Sequence, residues 1–299
     1  MKIDIGEVVS QTWQITWKNK ILWVFGMIFG LFFSILMPIA FMPTFLPVLI
    51  RDADRGFTSV FMGVVFAIIA LVFLAMFPIS VMTQTSITVG VVKLDQEQER
   101  LPLVEMFKRG LPFFWRVLGL LLLFFVAMML FNLVLQALIF LLAILTFGLG
   151  TLCAIPLLML MYPVIFLVTL WMEQSMNGIV IDGMTVVEAI KHGWNLIRQN
   201  LFPVGLMAIV VYVGVGMISS VAVIPMMSPA FLFPFIYLNG EFNWIIVLIG
   251  LAAQLIFIPL TALFFGWSFA FTKSAWVLTY LRLTRSSETK QPELLEAAS

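Results

Sequence analysis

Residues 117–172 read VLGLLLLFFVAMMLFNLVLQALIFLLAILTFGLGTLCAIPLLMLMYPVIFLVTLWM, and none of these 56 positions is Asp, Glu, Lys, Arg or His. A helix rises about 1.5 Å per residue, so crossing an apolar layer about 30 Å thick takes about 20 residues. The run is long enough for two crossings and offers one place to turn between them, Phe147-Gly148-Leu149-Gly150. Bracketed by Arg116 and Glu173, it reads as a hairpin of two membrane helices.

Uncharged runs of the same kind lie on either side, at 21–50, 56–92, 199–240 and 242–272. The chain is 63% hydrophobic and 10% charged, against roughly 25% charged in a soluble domain. The economical reading is six spans, near 21–43, 58–80, 117–143, 151–172, 202–225 and 245–267. They fall into three copies of one pattern, in which a Glu opens a short amphipathic stretch and a proline sits in the second apolar helix. The pairs are Glu7 and Pro78, Glu105 and Pro163, and Glu188 and Pro259, spaced 71, 58 and 71 residues apart. The expected fold is therefore all-α and polytopic. Three helical hairpins (4–95, 102–182 and 185–283), each preceded by an amphipathic helix on the cytoplasmic surface, form one membrane domain over 1–285, with a flexible cytoplasmic tail over 286–299.

Polar residues at Glu7, Gln11, Gln14 and Lys18, and again at Glu188, His192, Asn195 and Gln199, recur at intervals of four, three and four. Those intervals draw a stripe down one side of a helix. The middle copy keeps Glu105, Arg109 and Arg116 but places Pro112 in the stripe. Asp4 with Glu7, and Thr185 with Glu188, have capping-box spacing, while Pro102 suits a first helical turn. Trp13, Trp17, Phe107, Trp115 and Trp194 give these stretches aromatic faces suited to the headgroup region. Such helices anchor and orient the hairpins, or serve as a surface for a partner or an anionic lipid.

Lys and Arg flanking a span are retained on the cytoplasmic side. With both termini cytoplasmic, 14 of the 16 basic residues fall there, and only Arg51 and Arg55, beside Asp52 and Asp54, fall outside. Met1-Lys2-Ile3-Asp4 lacks the basic start and small-residue cleavage site of a signal peptide, so the first span is expected to be retained. Cys153 is the single cysteine, which leaves no disulfide framework and no cysteine metal cluster. The expected location is a bacterial cytoplasmic (inner) membrane.

The second helix of each hairpin exceeds the membrane's needs: residues 57–93 would extend about 55 Å. Pro78, Pro163 and Pro259 are expected to kink these helices at matching depth, shaping the packing or opening a central cavity. Gly26 and Gly30 form a GxxxG that permits close helix approach. Two apolar segments, Pro38–Pro47 and Met227–Trp244, read as interfacial elements on the outer face.

Catalysis needs convergent ionisable or nucleophilic groups. His192, the one histidine, falls on a polar stripe and is expected to be solvated, as is the turn holding Asp95, Glu97 and Glu99. HExxH, GxSxG, Walker and GxGxxG motifs are all missing. The reading is not an enzyme, with no cofactor, no metal and no nucleic-acid partner. Asn132, Gln136 and Gln254 are the polar residues at membrane depth that would line a cavity or hydrogen-bond a neighbouring helix. Glu173 and Lys273 are expected at the cytoplasmic ends of the fourth and sixth helices, within reach of the interface.

The entry patterns Glu7–Trp17 with Lys18-Asn19-Lys20-Ile21-Leu22-Trp23, Val91–Trp115, and Thr185–Phe202 resemble those of bacterial multi-pass proteins. These are related to the membrane domain attached to some glycerophosphodiester phosphodiesterases. The resemblance covers about Asp4 to Leu283 and implies the architecture. It does not carry the enzyme activity, because the histidine- and carboxylate-bearing catalytic barrel has no counterpart here. The functional expectation is a non-catalytic accessory or scaffold subunit that organises membrane lipids or another membrane protein. The alternative is a passive or partner-driven transporter of a hydrophobic or lipid-like substrate.

Overall fold

The computed structural model of the chain describes residues 4–31, 34, 55–96, 101–148, 151–226 and 244–296. Every element among the described residues is helical: α1 (Ile5–Lys18), α2 (Ile21–Leu31), α3 (Arg55–Gln96), α4 (Leu103–Gly110), α5 (Phe114–Leu145), α6 (Thr151–Asp182), α7 (Val186–Gln199), α8 (Leu201–Met226) and α9 (Trp244–Glu296). A single 3₁₀ turn, Leu111–Phe113, joins α4 to α5. Among the described residues five helical stretches are long and apolar enough to cross a membrane: Ser59–Gln96, Leu103–Leu145, Met161–Asp182, Leu201–Val221 and Leu248–Arg285. The chain is thus a helical membrane protein. α2 is apolar but shorter, and the other residues of the expected first span, 32–33 and 35–43, lie outside the described residues, as do 38–47, 227–243, Glu97 and Glu99.

The hairpin turn falls where the glycines placed it. α5 stops at Leu145, Phe147 and Gly148 take positive φ (50° and 91°), and Gly148 N donates back to Ala143 O at 2.7 Å. α9 continues as helix to Glu296, through the polar stretch expected as a flexible tail. Pro78, Pro163 and Pro259 each sit inside an unbroken helix.

The three short helices start alike, with the Glu in third position each time: Glu7 in α1, Glu105 in α4 and Glu188 in α7. Asp4 Oδ1 accepts from Glu7 N at 3.1 Å. At α7 the Glu188 carboxylate accepts from Thr185 N at 3.0 Å and Thr185 Oγ1 at 2.7 Å. The residues one and five places after each Glu are buried: Val8 and Thr12, Met106 and Gly110, Ala189 and Gly193. The tryptophans stay outward, Trp13 46% and Trp17 51% exposed. A buried stripe one and five places after the Glu therefore seats each short helix on protein, with ring contacts from Trp13 and Trp194 beside it in α1 and α7.

The chain divides into two compact units. In the unit of residues 4–111 and 206–278, α1 lies on α9 with Trp13 edge-on to Trp267 (5.9 Å) and Phe271 (6.3 Å). α2 crosses α9 at glycines: a methyl added at Gly26 would lie 2.6 Å from the Gly266 carbonyl oxygen, and one at Gly266 would lie 2.7 Å from Trp23 O. Phe29 stacks on Phe269 beside that crossing. α4 meets α3 at Gly110, whose added methyl would stand 3.0 Å from Thr85 Oγ1 and 3.2 Å from Ser86 N. α8 is tied to α9 by Ser219 and Ser268 hydroxyls 2.7 Å apart.

In the unit of residues 112–205 with 279–299, α7 lies on α6 in the same way. A methyl at Gly193 would come 2.5 Å from Ser175 Oγ and 2.9 Å from its backbone nitrogen. Trp171 binds this corner together, donating Nε1 to Ile190 O at 2.8 Å and meeting Phe124 edge-on and Trp194 at 5.1 Å. Pro78 precedes Ser86 by eight residues, while Pro163 precedes Ser175 by twelve. Measured from the serine on which the short helix rests, the prolines of α3 and α6 thus differ in depth by about one turn, and the matching depth expected of them is not kept.

Three of the long helices carry a buried polar band: Thr83 to Ser86 and Thr88 in α3, Glu173 to Ser175 and Asn177 in α6, Lys273, Ser274 and Thr279 in α9. Hydroxyls there donate to the carbonyl four residues back, as in Thr85 to Val81, Thr88 to Gln84, Ser175 to Trp171 and Ser274 to Ala270. This return bond lets a hydroxyl be buried without a tertiary partner. Glu173 and Lys273 belong to these bands, each under 10% exposed, and are not at helix ends. α6 runs nine residues past Glu173 and α9 twenty-three past Lys273, which leaves both charges in the packed middle.

Two outcomes follow. Gly26→Ala drives a methyl into backbone atoms and is expected to destabilise by about 1–3 kcal/mol. Gly63→Ala, with nothing within 4 Å, is expected to be neutral or to gain up to about 1 kcal/mol; thermal unfolding in detergent compares the two. The hydrogen bond from the Thr185 backbone, with a smaller share from its hydroxyl, holds the Glu188 carboxyl below its ordinary range. A lowered folded-state value stabilises α7 above the ordinary carboxylate pKa, and that contribution is lost as pH falls through the lowered value. Amide exchange at the start of α7, corrected for intrinsic rates, should speed up on acidification in the native chain and lose that dependence in Glu188→Gln.

Candidate functional site

The corner between α1 and α2 is built without glycine. Asn19 ends α1 with its backbone N (3.1 Å) and side-chain Nδ2 (2.8 Å) both donating to Ile15 O. Leu22 N then donates to Asn19 O and Trp23 N to Lys20 O, each at 3.0 Å, while Trp23 Nε1 reaches back to Thr16 O at 2.9 Å. These bonds occupy the carbonyls that a helix end leaves orphaned and fix the angle at which the chain enters α2. Around this corner lies a cavity of about 260 Å³ lined by Lys18, Asn19, Lys20, Ile21, Leu22, Gly90, Leu94, Leu101 and Met106.

Burial divides that lining. Leu22, Gly90, Leu101 and Met106 are buried and form an apolar floor, with the Met106 methyl packed where Gly90 has no side chain. Lys18 and Lys20 are exposed and form the rim. Of the described carboxylates nearby, Asp95 Oδ1 accepts from Gln11 Nε2 at 2.6 Å, and Glu105 pairs with Arg109 at 2.5 Å. Neither rim lysine makes an ion pair among the described residues. The result is a small pocket with a positive edge and an apolar base.

The residues expected to gather at membrane depth are placed differently. Asn132 and Gln136 are exposed on α5, one turn apart, with Asn132 Nδ2 donating to Met128 O at 3.0 Å. Gln254 falls in α9, and its side chain lies outside the described residues. Beyond Phe124, α5 is exposed along most of its length; Met129, Leu133 and Phe140 share a face with the two amides, each more than 60% exposed.

His192 was expected in solvent. It is half-buried instead, with its ring edge-on to Tyr280 at 5.9 Å and its Nε2 shut away from solvent without a hydrogen-bond partner among the described residues. Tyr280 donates its hydroxyl to Asp182 at the end of α6, and Arg116 Nη1 donates to Gly183 O at 2.8 Å, where Gly183 turns the chain at φ 68°. This cluster fastens the α6–α7 corner; His192 is placed against a ring and not against a nucleophile.

The floor of the cavity was missed in the sequence. Lys18-Asn19-Lys20-Ile21-Leu22 and Val91–Trp115 are recognisable helix-entry patterns, but no local signal says that Gly90, Leu101 and Met106 close under the lysines some 70 to 90 residues before them. A comparison of the chain with protein-family models, with curated proteins and with solved structures found no match.

Proposed function

We propose that this chain is a non-catalytic accessory or scaffold subunit of a membrane complex. In this reading it crosses a bacterial inner membrane six times as three repeated hairpins, each preceded by an amphipathic cytoplasmic helix, with both termini in the cytoplasm. The repeat is supported by the common start of α1, α4 and α7 and by their seating. α4 rests on the long helix of the preceding copy, α7 likewise, and α1 on the long helix of the last. The resemblance to the membrane domain of glycerophosphodiester phosphodiesterases enters here as architecture alone.

The observation that carries the subunit reading is the exposed amide pair of α5. An amide facing hydrocarbon without a partner is unfavourable by several kcal/mol on water-to-alkane scales, and Asn132 satisfies only its NH₂ locally. Asn132 Oδ1 and the Gln136 amide have no hydrogen-bond partner among the described residues. A helix of another polypeptide laid along Met129, Asn132, Leu133, Gln136 and Phe140 satisfies them and covers the apolar face. The transporter alternative needs Asn132 and Gln136 to line a cavity, and their place on the outside of α5 favours the subunit.

Purification from the native membrane in nanodiscs, followed by native mass spectrometry, is expected to show a protein partner in stoichiometric amount. Asn132→Leu with Gln136→Leu should reduce its retention by at least about tenfold, from two interhelical hydrogen bonds of roughly 0.6–2 kcal/mol each. A native chain that arrives alone sinks the subunit reading. For topology, cysteines introduced at Asp52 and Ser287 in a Cys153→Ala background are tested with an impermeant maleimide. Labelling of the first and protection of the second is expected in intact cells; the reverse overturns the orientation.

A further inference from the structure

We infer that the cavity at the α1–α2 corner binds the phosphate headgroup of an anionic phospholipid. The argument starts from chemistry in layers. Lys18 and Lys20 put two cationic ammonium groups, unpaired among the described residues, at the rim, and Leu22, Gly90, Leu101 and Met106 put an apolar surface beneath them. A free inorganic anion has no use for such a floor, and a neutral apolar molecule has none for the rim. A ligand that uses both is an anionic amphiphile.

Size and position narrow it further. About 260 Å³ lies below the range of pockets that enclose a drug-sized ligand, so the site takes a headgroup and the first part of a chain, not a whole lipid. It opens where a short helix with outward-facing tryptophans, Trp13 and Trp17, gives way to the apolar α2, the level at which headgroups meet hydrocarbon. Lysine suits the task as a compact charge on a flexible stem that follows a phosphate. Among the described residues, the Glu105 carboxylate is paired with Arg109, and Asp95 Oδ1 accepts from Gln11.

Filled, the site fixes lipid at the one corner where α1, the end of α3 and the start of α4 meet. It clamps the entry of the first hairpin against the second surface helix. The inference rests on the membrane placement of the chain and not on the α5 partner, so either stands if the other fails.

The test uses the full-length chain in mild detergent with added dioleoyl phosphatidylglycerol, dioleoyl phosphatidylcholine or inorganic phosphate, read by native mass spectrometry for bound lipid and by unfolding temperature. Phosphatidylglycerol should bind as a resolved one-to-one adduct and raise the unfolding temperature, and phosphatidylcholine should not. Lys18→Gln with Lys20→Gln, both exposed changes, should weaken that adduct by about 25-fold, each lysine near an anionic lipid contributing on the order of fivefold. Lys191→Gln with Arg198→Gln, basic residues away from the cavity, should leave it intact. Leu101→Trp, which fills the floor while keeping both charges, should weaken it as well. Three results overturn the inference: equal loss in both charge variants, which marks general adsorption; displacement of the lipid by inorganic phosphate at comparable concentration, which marks a simple anion site; or an unchanged adduct in Lys18→Gln with Lys20→Gln.

Discussion

Inside a bilayer, apolar side chains gain nothing by leaving lipid for protein, so helices are held by how closely their backbones approach. Everything else in this chain depends on that approach. Gly26 and Gly30 meet Gly266, Phe265 and Ala262, and Gly193 meets Ser175, at separations where a methyl would collide, while Gly110 meets Thr85 and Ser86 at separations where a methyl would crowd them. These contacts set the corners of the fold, and the long helices fill the distance between them.

Close approach also explains the polar character of the packed regions. Small hydroxyl residues let backbones draw near and bury no unpaired group when they donate to the carbonyl four residues back. The bands in α3 and α9 are made largely of hydroxyl residues, and Ser175 is the one in α6. Glu173 and Lys273 enter the same bands because their helices run on beyond the thickness a span requires, so a position that would be terminal in a 20-residue helix becomes interior here.

Two surfaces among the described residues combine polar with apolar groups. One is the outer half of α5, apolar with two amides upon it; the other is the basic-edged cavity beside α2. They have different chemistry, one suited to another helix and one to a headgroup, and they lie in different units of the chain.

The composition and the charge-free runs determined by themselves that this is a helical membrane protein, since 56 consecutive residues without a charge can be satisfied only as apolar helices. The Glu-led starts of α1, α4 and α7, the turn at Phe147-Gly148 and the helix-packing role of Gly26 and Gly30 were legible for the same reason: each is decided by residues within one or two turns of one another. What only the tertiary structure decided is set by residues far apart in the chain. That includes the burial of Glu173 and Lys273, the enclosure of His192 against Tyr280, the outward placement of Asn132 and Gln136, and the closing of Leu101 and Met106 beneath Lys18 and Lys20. A periodic pattern tells which face of a helix differs from the other, but which neighbour that face meets depends on where the backbones come close, and that is fixed by pairs of small residues on different helices.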